Sequence, residues 1–311
     1  MKLKPGIKDV AWMAVGAGLL LAVVLAVSYF HTDQSQDAQR AIKSQRAAVV
    51  ERMRAALAWA AEAEKSAVLA VTDQDSQTFA DQARAATAEV ERERGEVEAL
   101  LKVGGTSSER DALARFDTVF EQFQRVDGEL LDLAVKNTNL KAWALTFGAA
   151  NDALTDMDSA LARLIAKTSG FADPSRALLP ATDARAAAWR IQALLAPHIA
   201  ADSDARMDEL EASMAAHDGE IAKDLAALGA LPELREDRDL LAAVENYTRF
   251  GEVRTKVLAL SRENTNVRSV SISLDQKRKV MLLCQSALSD LQRAIQDEPI
   301  AAPGAGQPPV R

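Results

Sequence analysis

The sequence predicts an all-α protein: an N-terminal transmembrane helix followed by two stacked four-helix bundles that share two long helices. Composition, an apolar N-terminal segment and a duplicated tripeptide lead to this prediction. The 311 residues are 48% hydrophobic and 26% charged, with only 14 Gly and 9 Pro. Ala, Leu, Glu, Arg and Gln are abundant and favour helices. Strand signals are nearly absent, because β-branched residues cluster mainly between Val10 and Phe30.

The first element is the apolar segment at residues 10–30, which contains 21 residues and no charge. A helix of this length crosses a bilayer core of about 30 Å. Lys2, Lys4 and Lys8 precede it, so residues 1–9 are predicted to be cytoplasmic. The bulk of the chain is then periplasmic, on a single-pass inner-membrane protein. A cleaved signal peptide is the alternative, since Ala26-Val27-Ser28 resembles a cleavage site, although the apolar run exceeds a usual signal core.

The charge balance of the remaining chain limits its partners. Residues 1–30 carry three Lys and one Asp, a net charge of +2. Since the whole chain has a formal net charge of −8, the remaining residues carry a net charge of −10. An acidic exterior argues against nucleic acid as a partner. At the other end, the Pro- and Gly-rich residues 298–311 are predicted to be a disordered tail. The single cysteine, Cys284, lies on an apolar helix face and is expected to be buried.

Helix punctuation divides the exported residues, 31–297, into six helical segments. They are predicted at about 33–72, 74–103, 106–167, 182–200, 203–228 and 233–297. Thr106-Ser-Ser-Glu109 has the form of a capping box and opens the third segment. Residues 169–180 are the predicted linker between two sequence repeats, at about 31–168 and 181–297.

The repeats are recognised by the tripeptide Asn-Thr-Asn, which occurs at residues 137–139 and again 127 residues later at 264–266. At the same offset Phe123 aligns with Phe250. Apolar positions continue in steps of three and four through both copies, which predicts two uninterrupted helices of roughly 60 and 65 residues. A turn at each tripeptide, making each repeat its own four-helix bundle, is the alternative.

Helix lengths predict the arrangement of the segments, at about 1.5 Å of rise per residue. The third and sixth segments are long enough to run through both bundles. The membrane-proximal bundle then contains segments one and two, with half of three and half of six, and the distal bundle contains the rest. Both tripeptides and both hairpin tips are predicted at the level where the bundles meet.

The candidate ligand-binding residues lie around the tripeptides and are Asn137, Asn139, Lys141, Asn264, Asn266 and Arg268. A core asparagine fixes helix register and needs hydrogen-bond partners, so one interpretation is structural, with Asn137 and Asn264 bonding the backbone of opposing hairpins. In the other, each asparagine and the cation four residues later share a helix face and hold a small anionic ligand. If Lys141 and Arg268 extend to solvent instead, that ligand has no cation.

No catalytic motif is present, so the chain is predicted not to be an enzyme and to need no cofactor. It contains no glycine-rich phosphate loop, nucleophile elbow or convincing acid/base pair. His31, His198 and His217 lack the spacing of a metal site. Three tryptophans sit in amphipathic helices and are expected in the core, with a ligand slot as the alternative. These are Trp59, Trp143 and Trp189.

The stretches Leu133–Gly148 and Leu260–Leu274 resemble segments of the four-helix-bundle sensor domains of bacterial methyl-accepting chemotaxis proteins. The doubled layout is similar to their helical bimodular variant. This resemblance implies an extracytoplasmic sensor of a small molecule or protein that forms a side-by-side homodimer. Such receptors continue into a second membrane span, a HAMP linker and a signalling hairpin, which this sequence does not show. We therefore expect a truncated receptor, or signalling through a second membrane protein. A scaffolding coiled-coil protein of the cell envelope is the alternative function.

Overall fold

The computed structural model describes the backbone of residues 7–297 and the side chains of residues 37–297. Over this range the chain is helical and contains no strand, which confirms the all-α class. The α-helices are α1 Ile7–Leu69, α2 Asp73–Gly104, α3 Ser107–Ala134, α4 Thr138–Leu145, α5 Asn151–Lys167, α6 Ser175–Ile199, α7 Asp204–Gly229, α8 Arg238–Glu263, α9 Thr265–Ile272 and α10 Arg278–Asp297. All six predicted segments are present; α3 to α5 form the third and α8 to α10 form the sixth.

The N-terminal segment is helical, and α1 begins at Ile7. The side chains of the predicted membrane helix at 10–30 lie outside the described residues, as do the predicted tail and most of residues 1–9. Within the described part of the chain, no helix has the length and apolarity needed to span a membrane. The membrane helix and the disordered tail therefore stay predictions.

The chain divides into two compact units. Unit 1 comprises Met1–Ala60, Ala85–Phe123 and Val280–Arg311. Its core is formed by α1, α2, α3 and α10, whose buried side chains include Met53, Leu57, Val90, Leu101, Phe116, Phe120, Phe123, Leu288 and Leu291. Three phenylalanines of α3 stack in series, with centroid distances of 5.3 and 5.8 Å. Cys284 is buried in this core, as predicted.

The predicted capping box at the start of α3 is confirmed. The backbone amide of Thr106 donates to Glu109 Oε2 at 2.7 Å, and the amide of Glu109 donates to Thr106 Oγ1 at 3.2 Å. The first turn of a helix leaves such amides without partners inside the helix. Each side chain therefore accepts a hydrogen bond from the backbone amide of the other residue, and together they fix the residue at which α3 begins.

Thr106→Ala is expected to lower the free energy of unfolding by about 1 kcal/mol, because it leaves one end of the capping box without its acceptor. Thr118→Ala is the matched control, since that exposed hydroxyl donates only to the Ala114 carbonyl within the same helix. Urea unfolding of both variants provides the comparison. Equal losses would show that the box contributes nothing to the stability of α3.

Unit 2 comprises Ala61–Arg84 and Gln124–Lys279 and contains two apolar clusters. The larger cluster is built by α4 to α8, and its members include Leu154, Leu161, Ile191, Leu195, Leu210, Met214, Phe250 and Val257. The smaller cluster joins the ends of α1, α2 and α3 to α9 through Ala67, Ala80, Ala83, Leu130, Leu131 and Ile272. Along the chain, each tripeptide lies between a residue of one cluster and a residue of the other.

The prediction of two uninterrupted long helices is wrong. Asn137 and Asn264 both adopt the left-handed conformation, each with φ 51° and ψ 38°. Asparagine enters this region more easily than other residues with a side chain, because its short polar group is tolerated there. The helix resumes at once, since the amide of Lys141 donates to the Asn137 carbonyl at 3.0 Å. The apolar spacing therefore continues across the break and conceals it.

The tripeptides are not hairpin turns either. Residues before Asn137 belong to the smaller cluster, and residues after it belong to the larger one, so the chain does not fold back along α3. Each long segment has a second irregularity, a π-helical turn at Thr146–Ala150 and another at Ser273–Lys277. The second turn begins 127 residues after the first, the same offset that separates α9 from α4.

Two other expectations fail. The linker ends at Pro174, because α6 begins at Ser175 and includes Pro180, which was predicted to lie in the linker. Trp59 is 58% exposed and Trp189 is 38% exposed, so neither is a core residue. Small alanines take the buried positions of α1 and α6 next to them. Trp143 is partly buried and packs against the larger cluster of unit 2.

Candidate functional site

The two copies of Asn-Thr-Asn meet in unit 2 and form one hydrogen-bonded group, here named the Asn-Thr-Asn junction (residues 137–139 and 264–266). The amide of Thr138 donates to Thr265 Oγ1 and the amide of Thr265 donates to Thr138 Oγ1, both at 3.1 Å. The amide of Asn139 donates to Asn266 Oδ1 and the amide of Asn266 donates to Asn139 Oδ1, also at 3.1 Å. Each short helix thus caps the first amides of the other.

The junction is also bonded to the hairpin between α6 and α7. Asn139 Nδ2 donates to the Ile199 carbonyl and to Asn264 Oδ1, both at 2.8 Å. Asn264 Nδ2 donates to the Ala201 carbonyl at 2.9 Å. Carbonyl groups at the end of a helix have no partner within it, and here two side chains supply that partner. The end of α6 is therefore attached to the junction.

On the other side the junction reaches the start of α2. Asn137 Nδ2 donates to Asp73 Oδ1 at 3.1 Å, and Asn137 Oδ1 accepts from Asn266 Nδ2 at 3.0 Å. Lys141 Nζ lies 3.0 Å from Asp73 Oδ2 and also donates to the Lys136 carbonyl at 2.8 Å. The hydrogen bond from Lys141, followed by that from Asn137, lowers the pKa of Asp73. Asp73 is therefore held as a carboxylate between an amide and an ammonium group.

The predicted site residues thus differ in their hydrogen-bond and ion-pair partners. Asn264 bonds the backbone of a hairpin, as the structural interpretation predicted, whereas Asn137 bonds the side chain of Asp73. Lys141 is exposed and paired with Asp73. Arg268 is exposed, and among residues 37–297 its side chain has no hydrogen-bond or ion-pair partner. Ligand binding by these residues stays a prediction.

A buried histidine next to the junction was missed by the sequence analysis. His198 Nδ1 lies 2.8 Å from Ser261 Oγ, and His198 Nε2 lies 2.8 Å from Glu211 Oε1. Arg262 Nε donates to the same oxygen of Glu211 at 2.8 Å. The hydrogen bond from Arg262 is the main reason that the pKa of Glu211 is lowered. No sequence motif marks this contact, because Ser261 lies 63 residues after His198, the second-to-last residue of α6.

A second buried polar group lies in the smaller cluster of unit 2. Lys277, at the end of a π-helical turn, forms an ion pair with Asp127, and both side chains are buried. Glu64 is 1% exposed, and its Oε1 has no hydrogen-bond partner among the described residues. Burial raises the pKa of Glu64, while Ser273 and Lys277 oppose that change.

The comparison with known families decides what kind of protein this is. Residues 12–177, more than half of the chain, match the family described as a four helix bundle sensory module for signal transduction. The chain belongs to this family. No curated protein matches the sequence. The resemblance to the sensor domains of methyl-accepting chemotaxis proteins is therefore confirmed, and the chain is a chemoreceptor-type helical sensory module.

The family match covers only some of the residues that pack together in the structure. The match ends at residue 177, two residues after the start of α6. It includes the first Asn-Thr-Asn and excludes the second, although the two copies cap each other in the structure. The four-helix core of unit 1 likewise takes α10 from the unmatched half. The sensory module therefore uses residues from both halves of the chain.

Proposed function

We propose that this chain is a membrane-anchored, extracytoplasmic sensory module that detects a small molecule and relays its binding through the Asn-Thr-Asn junction. The family supports the sensory role, and the uncharged segment at residues 10–30 supports the anchor. The observation that carries the relay is the junction itself, which bonds α4 and α9 to α2 and to the end of α6. A ligand that favours one position of any of these helices therefore changes the bonds of the others.

An internal duplication is part of this proposal. It is supported by the equal offsets of the two tripeptides, of α4 and α9, and of the two π-helical turns. The stacking of two bundles stays a prediction from helix lengths. We also propose a second copy of the chain, or a second membrane signalling protein, as the partner that receives the signal.

The ligand proposed is a small carboxylate, and Lys141 is the residue at which it acts. Lys141 and Asp73 form an exposed ion pair, with side chains 45% and 59% exposed. Exposed pairs contribute only about 0–1 kcal/mol, so a ligand carboxylate can compete with Asp73 for Lys141. Competition would weaken the bond between Asp73 and Asn137 and so loosen α2 from the junction. At the other end of the junction, Arg268 is a second cation that could hold an anionic group.

Thermal unfolding of the full chain in detergent, measured against a panel of organic acids and amino acids, tests this function. We expect at least one carboxylate to raise the Tm with saturable concentration dependence. Lys141→Met should weaken that response at least fivefold. Lys279→Met, which removes an exposed lysine paired with Asp275, is the matched control and should not change it. An unchanged Tm across the panel would reject the sensory proposal, and an undiminished response in Lys141→Met would reject the site.

A scaffolding role in the envelope is the second candidate. It is favoured by the junction amides, which are used within the protein and so behave as register-setting core groups. This role predicts no response to the panel and a specific protein recovered in a pull-down with the full chain. A saturable ligand response would decide against it.

A further inference from the structure

Glu64 occupies a core position of α1 and is 1% exposed. Its neighbours on the buried face of the helix, Ala63 and Ala67, belong to the smaller apolar cluster of unit 2. Ser273 supplies a side-chain hydrogen bond to the carboxyl, whereas Oε1 has no partner among the described residues. An ionised carboxylate is an acceptor at both oxygens, so the charged form would bury one oxygen without a donor. Burying a charge in this way costs more than burying a neutral oxygen.

The buried charges around Glu64 also favour its neutral form. Asp127 of α3 and Lys277 of the second π-helical turn are both buried and form an ion pair with each other. A charged Glu64 would therefore place two carboxylates and one ammonium group in the same cluster. Neighbouring carboxylates oppose the ionisation of each other. When Glu64 is neutral, the three buried groups together carry no net charge.

The remaining charged groups of this cluster are in contact with solvent. Within unit 2, every other ionisable side chain on α1, α2, α3, α9 and the second π-helical turn is exposed. Lys65 of α1 acts on Glu64 from the surface. Arg84 of α2 is already bonded to Asp81 and Asp132. Water and salt screen such exposed charges, so they do not replace a buried donor to Oε1.

The first π-helical turn of unit 2 has the same arrangement around a neutral side chain. Gln192 of α6 donates to the carbonyl of Thr146, the first residue of that turn, at 2.8 Å. Ser273 is likewise the first residue of the second turn, 127 residues later. Gln192 Oε1 is buried without a partner among the described residues, as is Glu64 Oε1. Glutamine has nearly the shape of a protonated glutamate, so the second turn matches the first when Glu64 is a neutral acid.

We propose that Glu64 is a proton-binding site, neutral in the folded protein, and that its ionisation separates α1 from the π-helical turn Ser273–Lys277. Burial is the largest influence on this carboxyl and raises its pKa, in agreement with the geometry. The charged form needs a donor at Oε1, and water must enter the cluster to provide it. It also competes with Asp127 for Lys277, the last residue of the turn. The proton is then an input of the sensory module, independent of the carboxylate ligand proposed at Lys141.

Urea unfolding of the full chain in detergent between pH 4 and 8 tests the proton site, with Glu64→Gln as the permanently neutral variant. A carboxyl with a raised folded pKa contributes its full stability below the unfolded pKa, and this stability is lost as pH rises through the folded pKa. The folding equilibrium constant of wild type, divided by that of Glu64→Gln, should therefore fall about tenfold per pH unit from the unfolded pKa of about 4.3 to the folded pKa.

Glu62→Gln is the matched control, because Glu62 is exposed on the same helix. The ratio of the wild-type folding equilibrium constant to that of Glu62→Gln should stay constant over the same pH range. A ratio for Glu64→Gln that is constant, or that rises with pH, would overturn the proposal.

Hydrogen exchange of the wild type tests the consequence for the turn and needs no variant. We expect protection factors at residues 273–277 to fall about tenfold as Glu64 ionises, because the turn loses contacts with α1. Residues 146–150 are the internal control, since the adjacent Gln192 cannot ionise. The same pH dependence in both turns, or in neither, would reject the coupling. Neither experiment uses a ligand, so a flat response to the panel of organic acids and a failed proton site are distinguishable results.

Discussion

Asn139→Leu is expected to lower the free energy of unfolding by about 4 kcal/mol, because three buried or partly buried groups lose their partner together. The Asn139 side chain donates to the Ile199 carbonyl and to Asn264 Oδ1, and it accepts from the Asn266 amide. It is 4% exposed, so water cannot replace these bonds. Each buried group left unsatisfied costs about 1–3 kcal/mol, and the leucine recovers part of this through apolar burial. Denaturant unfolding followed by circular dichroism measures the loss.

Asn246→Leu is the matched control for that substitution. Asn246 is half-buried in α8, and its Nδ2 donates only to the Ala242 carbonyl one turn earlier. The control should lose less than about 1 kcal/mol, since no other element depends on its amide. If Asn139→Leu were as mild as this control, the junction would not hold the elements of unit 2 together. A stable Asn139→Leu protein that no longer responds to ligand would instead assign the amide to sensing.

Helix positions were predictable from the sequence because the signals are local. Thr106 and Glu109 are three residues apart, and the hydrogen bonds that they make depend only on that spacing. The breaks at Asn137 and Asn264 were not predictable in the same way. An isolated left-handed asparagine leaves the spacing of apolar residues intact, and Asn is also tolerated inside helices. The recurrence of Asn-Thr-Asn nevertheless marked both positions correctly as places where polar groups needed partners.

The partners themselves were outside the reach of sequence reasoning. The prediction paired the asparagines with hairpins, whereas most of their bonds join one tripeptide to the other across 125 to 129 residues. The contact between His198 and Ser261 spans 63 residues and matches no motif. Which face of a helix meets which neighbour is set by tertiary packing. The exposed Trp59 and Trp189 illustrate the same limit, because amphipathic spacing does not decide whether an alanine or a tryptophan fills the core.

Lys277→Met is expected to lower the free energy of unfolding by about 3–5 kcal/mol, because it removes the cation that forms an ion pair with the buried Asp127 carboxylate. The adjacent Glu64 adds to this loss, since Lys277 is one of the groups that oppose the raised pKa of that carboxyl. The double variant Lys277→Met/Asp127→Leu should recover most of the stability, as apolar side chains can replace a buried pair. Lys279→Met is the control, and the loss of its exposed pair with Asp275 should cost less than about 0.5 kcal/mol.

The pH dependence of the stability of Lys277→Met shows whether the loss comes from the missing charge or from poorer packing. A carboxyl whose pKa is higher in the folded than in the unfolded state binds protons more readily when folded. Stability is then greatest at low pH and falls as pH rises from the unfolded toward the folded pKa. Burial raises the pKa of Glu64 in this way, and Lys277→Met removes one of the groups that oppose that rise. The difference in free energy of unfolding between wild type and Lys277→Met should therefore become smaller as pH falls from 8 to 5. A gap that stays constant over this range would mean that Lys277 contributes through its packing, and equal losses in the single and double variants would lead to the same conclusion.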